Sequence, residues 1–206
     1  MAGKNALSSI MVLLFLAGCS GAQEKEDMVA QPVKSIPAET ESLKASSSSQ
    51  APARKPEEGL TPETLIIPAL GIETKVEKAG LLNDGTMDVP KNDQHTAWYK
   101  QGARPGEQGN AVIAGHVDNK TGPAVFFNLK KLKTGDEVII LDEKGEKRTF
   151  LVEKAESYPY ERAPIPAIFG GANEPRLNLI TCTGTFDRSK KTHLERLVVY
   201  TKLKNS

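Results

Sequence analysis

Cysteine is scarce in this chain and charge is nearly balanced, and each shortage removes a class of function. The 206 residues include two cysteines, Cys19 and Cys182, and three histidines. No cysteines are paired at metal-ligand spacing, so a zinc site built on thiolate pairs has no basis. The formal net charge is +1, too balanced to argue for a nucleic-acid partner. Membrane crossing by a helix needs a far longer apolar run than Ile10 to Leu16, which also ends abruptly. There is no internal repeat. With 38% hydrophobic and 26% charged residues, the chain can form one globular domain with a sizeable core.

The run from Ile10 to Leu16 is the centre of a leader with three zones. Lys4 gives a short positive start, and Leu16, Ala17, Gly18 and Cys19 close the segment, as in a secretory signal. Those last four residues resemble the lipobox of bacterial lipoproteins, which implies cleavage after residue 18 and lipid on Cys19. The plain alternative is an ordinary signal peptide with a chance cysteine. On the lipoprotein reading the protein is lipid-anchored at the extracytoplasmic face of the cell membrane, and Cys182 loses its only possible disulfide partner. An unpaired thiol outside the cell is a liability unless it is used.

From Ser20 to Leu60 the sequence is polar and low in complexity. These 41 residues carry seven acidic and five basic side chains and too little apolar surface to offset the entropy of ordering, so residues 19–60 read as a lipidated cysteine and a disordered tether. The folded domain is expected over residues 61–206. Leu65 to Ile67, Ile72 to Val76, Ala111 to Ala114, Leu177 to Thr181 and Leu194 to Lys202 read as strands, and Glu137 to Leu141 with Arg148 to Glu153 as a hairpin; Val89 and Pro90 lead into Gln94 to Tyr99, which holds His95 and Trp98. Leu81 to Asp88 reads as a turn, Thr121 to Leu132 as one or two helical turns, and Pro164 to Phe169 as a single short helix. Many short strands with little helix point to an all-β barrel or sandwich.

Two strands end on reactive groups. In EQGNAVIAGHVD an apolar run meets Gly115 and His116, and in LNLITCTG another meets Cys182 between Thr181 and Thr183. A thiol needs a base or cation to populate its thiolate, so cysteine and histidine at two strand ends form one candidate centre. The bland alternative for Cys182 is a buried core cysteine. His116 is preferred over His193, which lies in the charged run Asp187 to Glu195 and reads as part of a solvated hairpin loop, and over His95, which reads as a rim residue. Arg196 lies fourteen residues past Cys182. A hairpin between them would bring their strands side by side, and Arg196 could then stabilise an oxyanion; otherwise it is a surface arginine paired with Glu195 or Asp187.

His in AGHVD, Cys in LNLITCTG and Arg in ERLVVY, in that order, resemble the histidine, cysteine and arginine of the sortase family, over a segment from about Leu65 to Leu203. The GHVD and TCTG motifs are most similar to a class F-like group. The resemblance implies a closed β-barrel of about eight strands with short helices. It implies catalytic roles for His116, Cys182 and Arg196, and a cysteine transpeptidase that cuts an LPXTG-like sorting signal through a thioacyl-enzyme. Its partners would be secreted proteins bearing that signal and an amine of peptidoglycan precursor. No cofactor is implied, and no metal, because the clustered acids that calcium-using members carry are not located here. By position, Pro164, Ile165, Ile168 and Phe169 would line the groove for the substrate's leucine and proline, or else pack into the core. Asp118 would orient His116, or else be a solvated turn residue. A cell-wall cysteine peptidase and a lipid-tethered, non-catalytic binding module stay open as alternatives.

Overall fold

A computed structural model describes residues 58–205. The leader, Cys19 and the tether up to residue 57 lie outside the described residues. Eight strands form a closed barrel: β1 (Thr64–Ile67), β2 (Ile72–Ala79), β3 (Thr96–Tyr99), β4 (Gly109–Gly115), β5 (Glu137–Leu141), β6 (Lys147–Pro159), β7 (Pro175–Asp187) and β8 (Thr192–Leu203). One short helix, α1 (Ile165–Phe169), lies in the β6–β7 connection. Around the barrel the order is β1, β2, β3, β4, β7, β8, β6, β5, and β5 pairs back onto β1. Closure leaves no open sheet edge to pair with another chain.

Alternation along the strands explains the closure. Leu65 and Ile67 of β1, Val138 and Ile140 of β5, and Leu177 and Leu179 of β7 are fully buried in one interior cluster, as every second residue of a strand must be to share a face. Phe126, from the β4–β5 connection, belongs to the same cluster. The stretch Thr121 to Leu132 is less helical than its apolar spacing implies, with one 3-10 turn at Leu129–Lys131. Its buried residues Phe126 and Leu129 serve the core through turns instead.

Two pairings are parallel, β2 with β3 and β4 with β7. Parallel neighbours need long crossovers, and the β6–β7 part of the second crossover covers the outer face of β4, β7 and β8. There Ile168 packs with Val198 and Tyr200 in a second apolar cluster, with Ile180 and Phe169 against it. A helix of five residues does not persist alone in water. Two asparagines of the barrel hold it: Asn110 Nδ2 donates to the Ala167 carbonyl at 3.1 Å and Asn178 Nδ2 to the Ile168 carbonyl at 2.8 Å, meeting carbonyls that the helix end leaves without partners.

Candidate active site

The outer face of β4, β7 and β8 gathers the reactive groups. In β7 the odd residues Leu177 and Leu179 point inward, so Ile180 and Cys182 point outward; in β8 Leu197 and Val199 point inward, so Arg196 and Val198 point outward. Cys182 and Arg196 are direct partners in the antiparallel β7–β8 register. The parallel β4–β7 register runs to Ala114 opposite Ile180, and His116 and Cys182 each lie two residues further on. Neighbouring strands lie about 4.8 Å apart, so Cys182 and Arg196 sit side by side on β7 and β8, and His116 follows the last residue of β4, the strand on the other side of β7. Thr181, between the two outward residues, turns inward and donates its hydroxyl to the Gly115 carbonyl at 2.8 Å, tying β7 to β4 at that level.

Gly115 is required by packing. A Cβ there would stand 2.6 Å from Cδ2 of the buried Phe126 ring, inside van der Waals contact, so the inward position at this level must be glycine for the ring to fit. With the inward direction filled, the following His116 turns to the outer face. Its Nε2 lies 3.0 Å from the Pro90 carbonyl. A carbonyl only accepts, so Nε2 carries a hydrogen in this contact.

Cys182 is half-buried and unpaired. Burial pushes its thiol above the ordinary value, the Arg196 guanidinium pulls it down, and the Asp118 carboxylate pushes it up. Arg196 is itself firmly held. Its Nη1 donates to the His193 and Glu195 carbonyls, its Nη2 donates to Thr192 Oγ1, and its guanidinium lies 5.5 Å from the centre of the Tyr160 ring. The bland reading, a surface pairing with Glu195 or Asp187 side chains, is not what the described residues show. Tyr160 was not singled out in the sequence, and no local pattern marks it: it meets Arg196 only because the β6–β7 connection folds back over β8.

Asp118 does not bond His116. Its Oδ1 lies 3.1 Å from Nε2 of His193, the histidine read above as part of a solvated loop. In the structure β8 begins at Thr192, and the His193 side chain is only 12% exposed. His95 instead pairs with Glu77 at 2.8 Å. Among the groove candidates, Ile168 is 1% exposed and locked into the second cluster, Phe169 packs edge-on against Tyr99, and Ile165 is 56% exposed. Within α1, then, Ile165 is the apolar side chain turned to solvent, while Ile168 holds the helix to the barrel. No group of three or more metal-ligating side chains occurs among the described residues.

Residues 65–204 match the family model described as the Sortase domain. The fold is similar to sortase A from Corynebacterium diphtheriae in a lid mutant, at TM-score 0.55 and 19% identity over 73% of each chain. It is similar to sortase C-1 from Actinomyces oris, at TM-score 0.55 and 19% identity over 69% of this chain and 71% of that one. Sortase C1 from Streptococcus agalactiae, in complex with MTSET, shares 22% identity at TM-score 0.54 over 69% of this chain and 67% of that one. No curated protein sequence matches the chain.

Proposed function

The chain belongs to the sortase family, and on that footing we propose that it is a cysteine transpeptidase acting on an LPXTG-like sorting signal. The single observation that supports this reading is the pairing of Cys182 with Arg196 across β7 and β8, with β4, which leads into His116, as the other neighbour of β7. Cys182 Sγ, as thiolate, attacks the carbonyl carbon of the signal's threonine and forms a C–S bond. The tetrahedral oxyanion collapses, the peptide C–N bond breaks, and His116, entering the step as the imidazolium, gives that proton to the leaving amine. The incoming amine of a peptidoglycan precursor then attacks the thioester and loses its proton to His116. The new amide forms as the C–S bond breaks, and the thiolate is restored. Arg196, fixed by its carbonyl partners and the Tyr160 ring, supplies positive charge beside the oxyanion and the thiolate.

Ile165, Pro164 and Phe169 would border the groove for the signal's apolar residues, with Ile168 beneath them. Within the family the GHVD and TCTG motifs support a class F-like assignment. The lipobox-like Leu16 to Cys19 supports a lipid anchor on Cys19 at the extracytoplasmic face of the membrane, with the tether carrying the barrel toward secreted substrates. No helix among the described residues is long and apolar enough to cross a membrane.

Mass spectrometry of the protein incubated with an LPXTG-type peptide, with and without triglycine and beside Cys182→Ala, tests the proposal. A ligated product that requires both triglycine and Cys182 is expected. Cleavage indifferent to the amine would instead mean a cysteine peptidase, and no covalent intermediate across a panel of signals would mean a binding module.

A further inference from the structure

The ring of His193 faces a hydrogen-bond acceptor at each nitrogen. Nδ1 lies 3.1 Å from the Gly184 carbonyl, and Nε2 lies 3.1 Å from Asp118 Oδ1. A carbonyl oxygen and a carboxylate oxygen both accept, and a neutral imidazole has one N–H to give. Both bonds are therefore made together only by the imidazolium. The site is built for this ring. Gly184 has a left-handed backbone (φ 75°), and the β7–β8 register slips between Thr183 and Phe186, which sets Phe186 rather than Thr185 in the ladder opposite His193. The Phe186 ring then stands edge-on to the imidazole at 5.2 Å.

We propose that His193 is a positioning residue of this site: as the imidazolium it clasps Asp118, on the connection after His116, to the Gly184 carbonyl two residues past Cys182, and offsets the carboxylate's charge. The consequence for turnover rests on the reading of Cys182 as nucleophile; the clasp does not. Charged groups stand around the clasp on each neighbouring element. Asp118 comes from the β4–β5 connection and bonds the ring itself. Glu195 of β8 lies against Gly184. Arg196, also of β8, donates to the His193 carbonyl. Asp118 also raises the Cys182 thiol, so an imidazolium bonded to Asp118 makes thiolate easier to form.

The charged ring closes the clasp and aids the thiolate; a neutral ring keeps only one of the two bonds, and the aid is withdrawn. Imidazoles as a class change charge over about pH 5 to 8, while thiolate formation itself rises with pH. The logarithm of the Cys182 alkylation rate should therefore climb with a slope below one through this range in the native protein.

The test is iodoacetamide alkylation of Cys182 from pH 5 to 9.5, followed by mass spectrometry, in the native protein, His193→Gln, His193→Ala, Asp118→Asn and the His193→Gln/Asp118→Asn pair. The glutamine variant keeps a donor without charge. It should alkylate roughly threefold to tenfold more slowly than native near pH 5.5, half to one pK unit of lost assistance, converge with native near pH 9, and show unit slope at pH values below the thiol's midpoint. Asp118→Asn should react faster than native, and adding His193→Gln to it should change nothing. Thermal melts identify an unfolded His193→Ala, in which case the glutamine variant carries the test. Equal rates for native and His193→Gln at pH 5.5, or an undiminished effect of His193→Gln in the Asp118→Asn background, would overturn the clasp. These readouts need no peptide, so a clasp that behaves as expected in a protein that ligates nothing sinks the transpeptidase reading alone.

Discussion

Cys182 and Arg196 stand directly opposite one another on β7 and β8, and Tyr158 of β6 stands opposite Arg196 on its other side. The guanidinium is thus placed by two antiparallel ladders, by three backbone or hydroxyl acceptors and by the Tyr160 ring, before any substrate arrives. A cation held this way loses little freedom when charge develops beside it.

Arg196→Ala should lower kcat/KM for ligation by roughly 10²- to 10³-fold, as loss of one oxyanion donor does. Arg196→Lys should fall between, since a lysine keeps the charge but not the planar fork that meets these acceptors. Steady-state rates with an LPXTG-type peptide and triglycine check both. Equal rates for Arg196→Ala and native would remove the arginine from the chemistry.

The thiol of Cys182 should titrate above an ordinary cysteine, about 8.5, because burial disfavours its anion. A raised thiol means thiolate, and alkylation, appear at higher pH. Removing Arg196, which pulls the thiol down, should move the alkylation midpoint higher still in Arg196→Gln. A midpoint that falls in that variant would contradict the electrostatics described here.

Gly115→Ala should destabilise the barrel by about 1–3 kcal/mol through overpacking against Phe126, with a drop of several degrees in Tm. A companion Phe126→Leu should recover part of the loss by opening room for the methyl group. Thermal melts of the two single variants and the pair measure this directly.

Asn178→Ala removes the donor that meets the Ile168 carbonyl. Asn178 Oδ1 is buried without a partner among the described residues, so removing it returns some of the cost, and a net loss near 1 kcal/mol is expected. The larger effect should fall on peptide KM, because α1 carries Ile165 at the proposed groove. An unchanged KM together with the expected stability loss would confine Asn178 to a structural role.

Much of this arrangement was legible along the chain, because it is carried by local repeats. Short apolar runs marked most of the strands that fill the barrel, and the fourteen-residue interval from Cys182 to Arg196 matched a hairpin that sets them side by side. What the apolar runs did not mark were the ends. β6, β7 and β8 run several residues past their apolar cores, where outward polar side chains interrupt the pattern while backbone hydrogen bonds continue to neighbouring strands. Nor does a five-residue helix have enough turns to reveal its faces, so which of Ile165 and Ile168 is buried depended on how the helix lies across β8.

The partner of Asp118 was decided furthest from the sequence. Two residues from His116, it meets His193, 75 residues away. Without the one-residue slip after Thr183, the pairing of Cys182 with Arg196 would set Thr192, not His193, opposite Phe186. Local chemistry selects which residues form strands and which strand ends carry reactive groups. The contacts among those groups depend on register, bulges and parallel crossovers, which are settled only when segments distant in the chain close the barrel together.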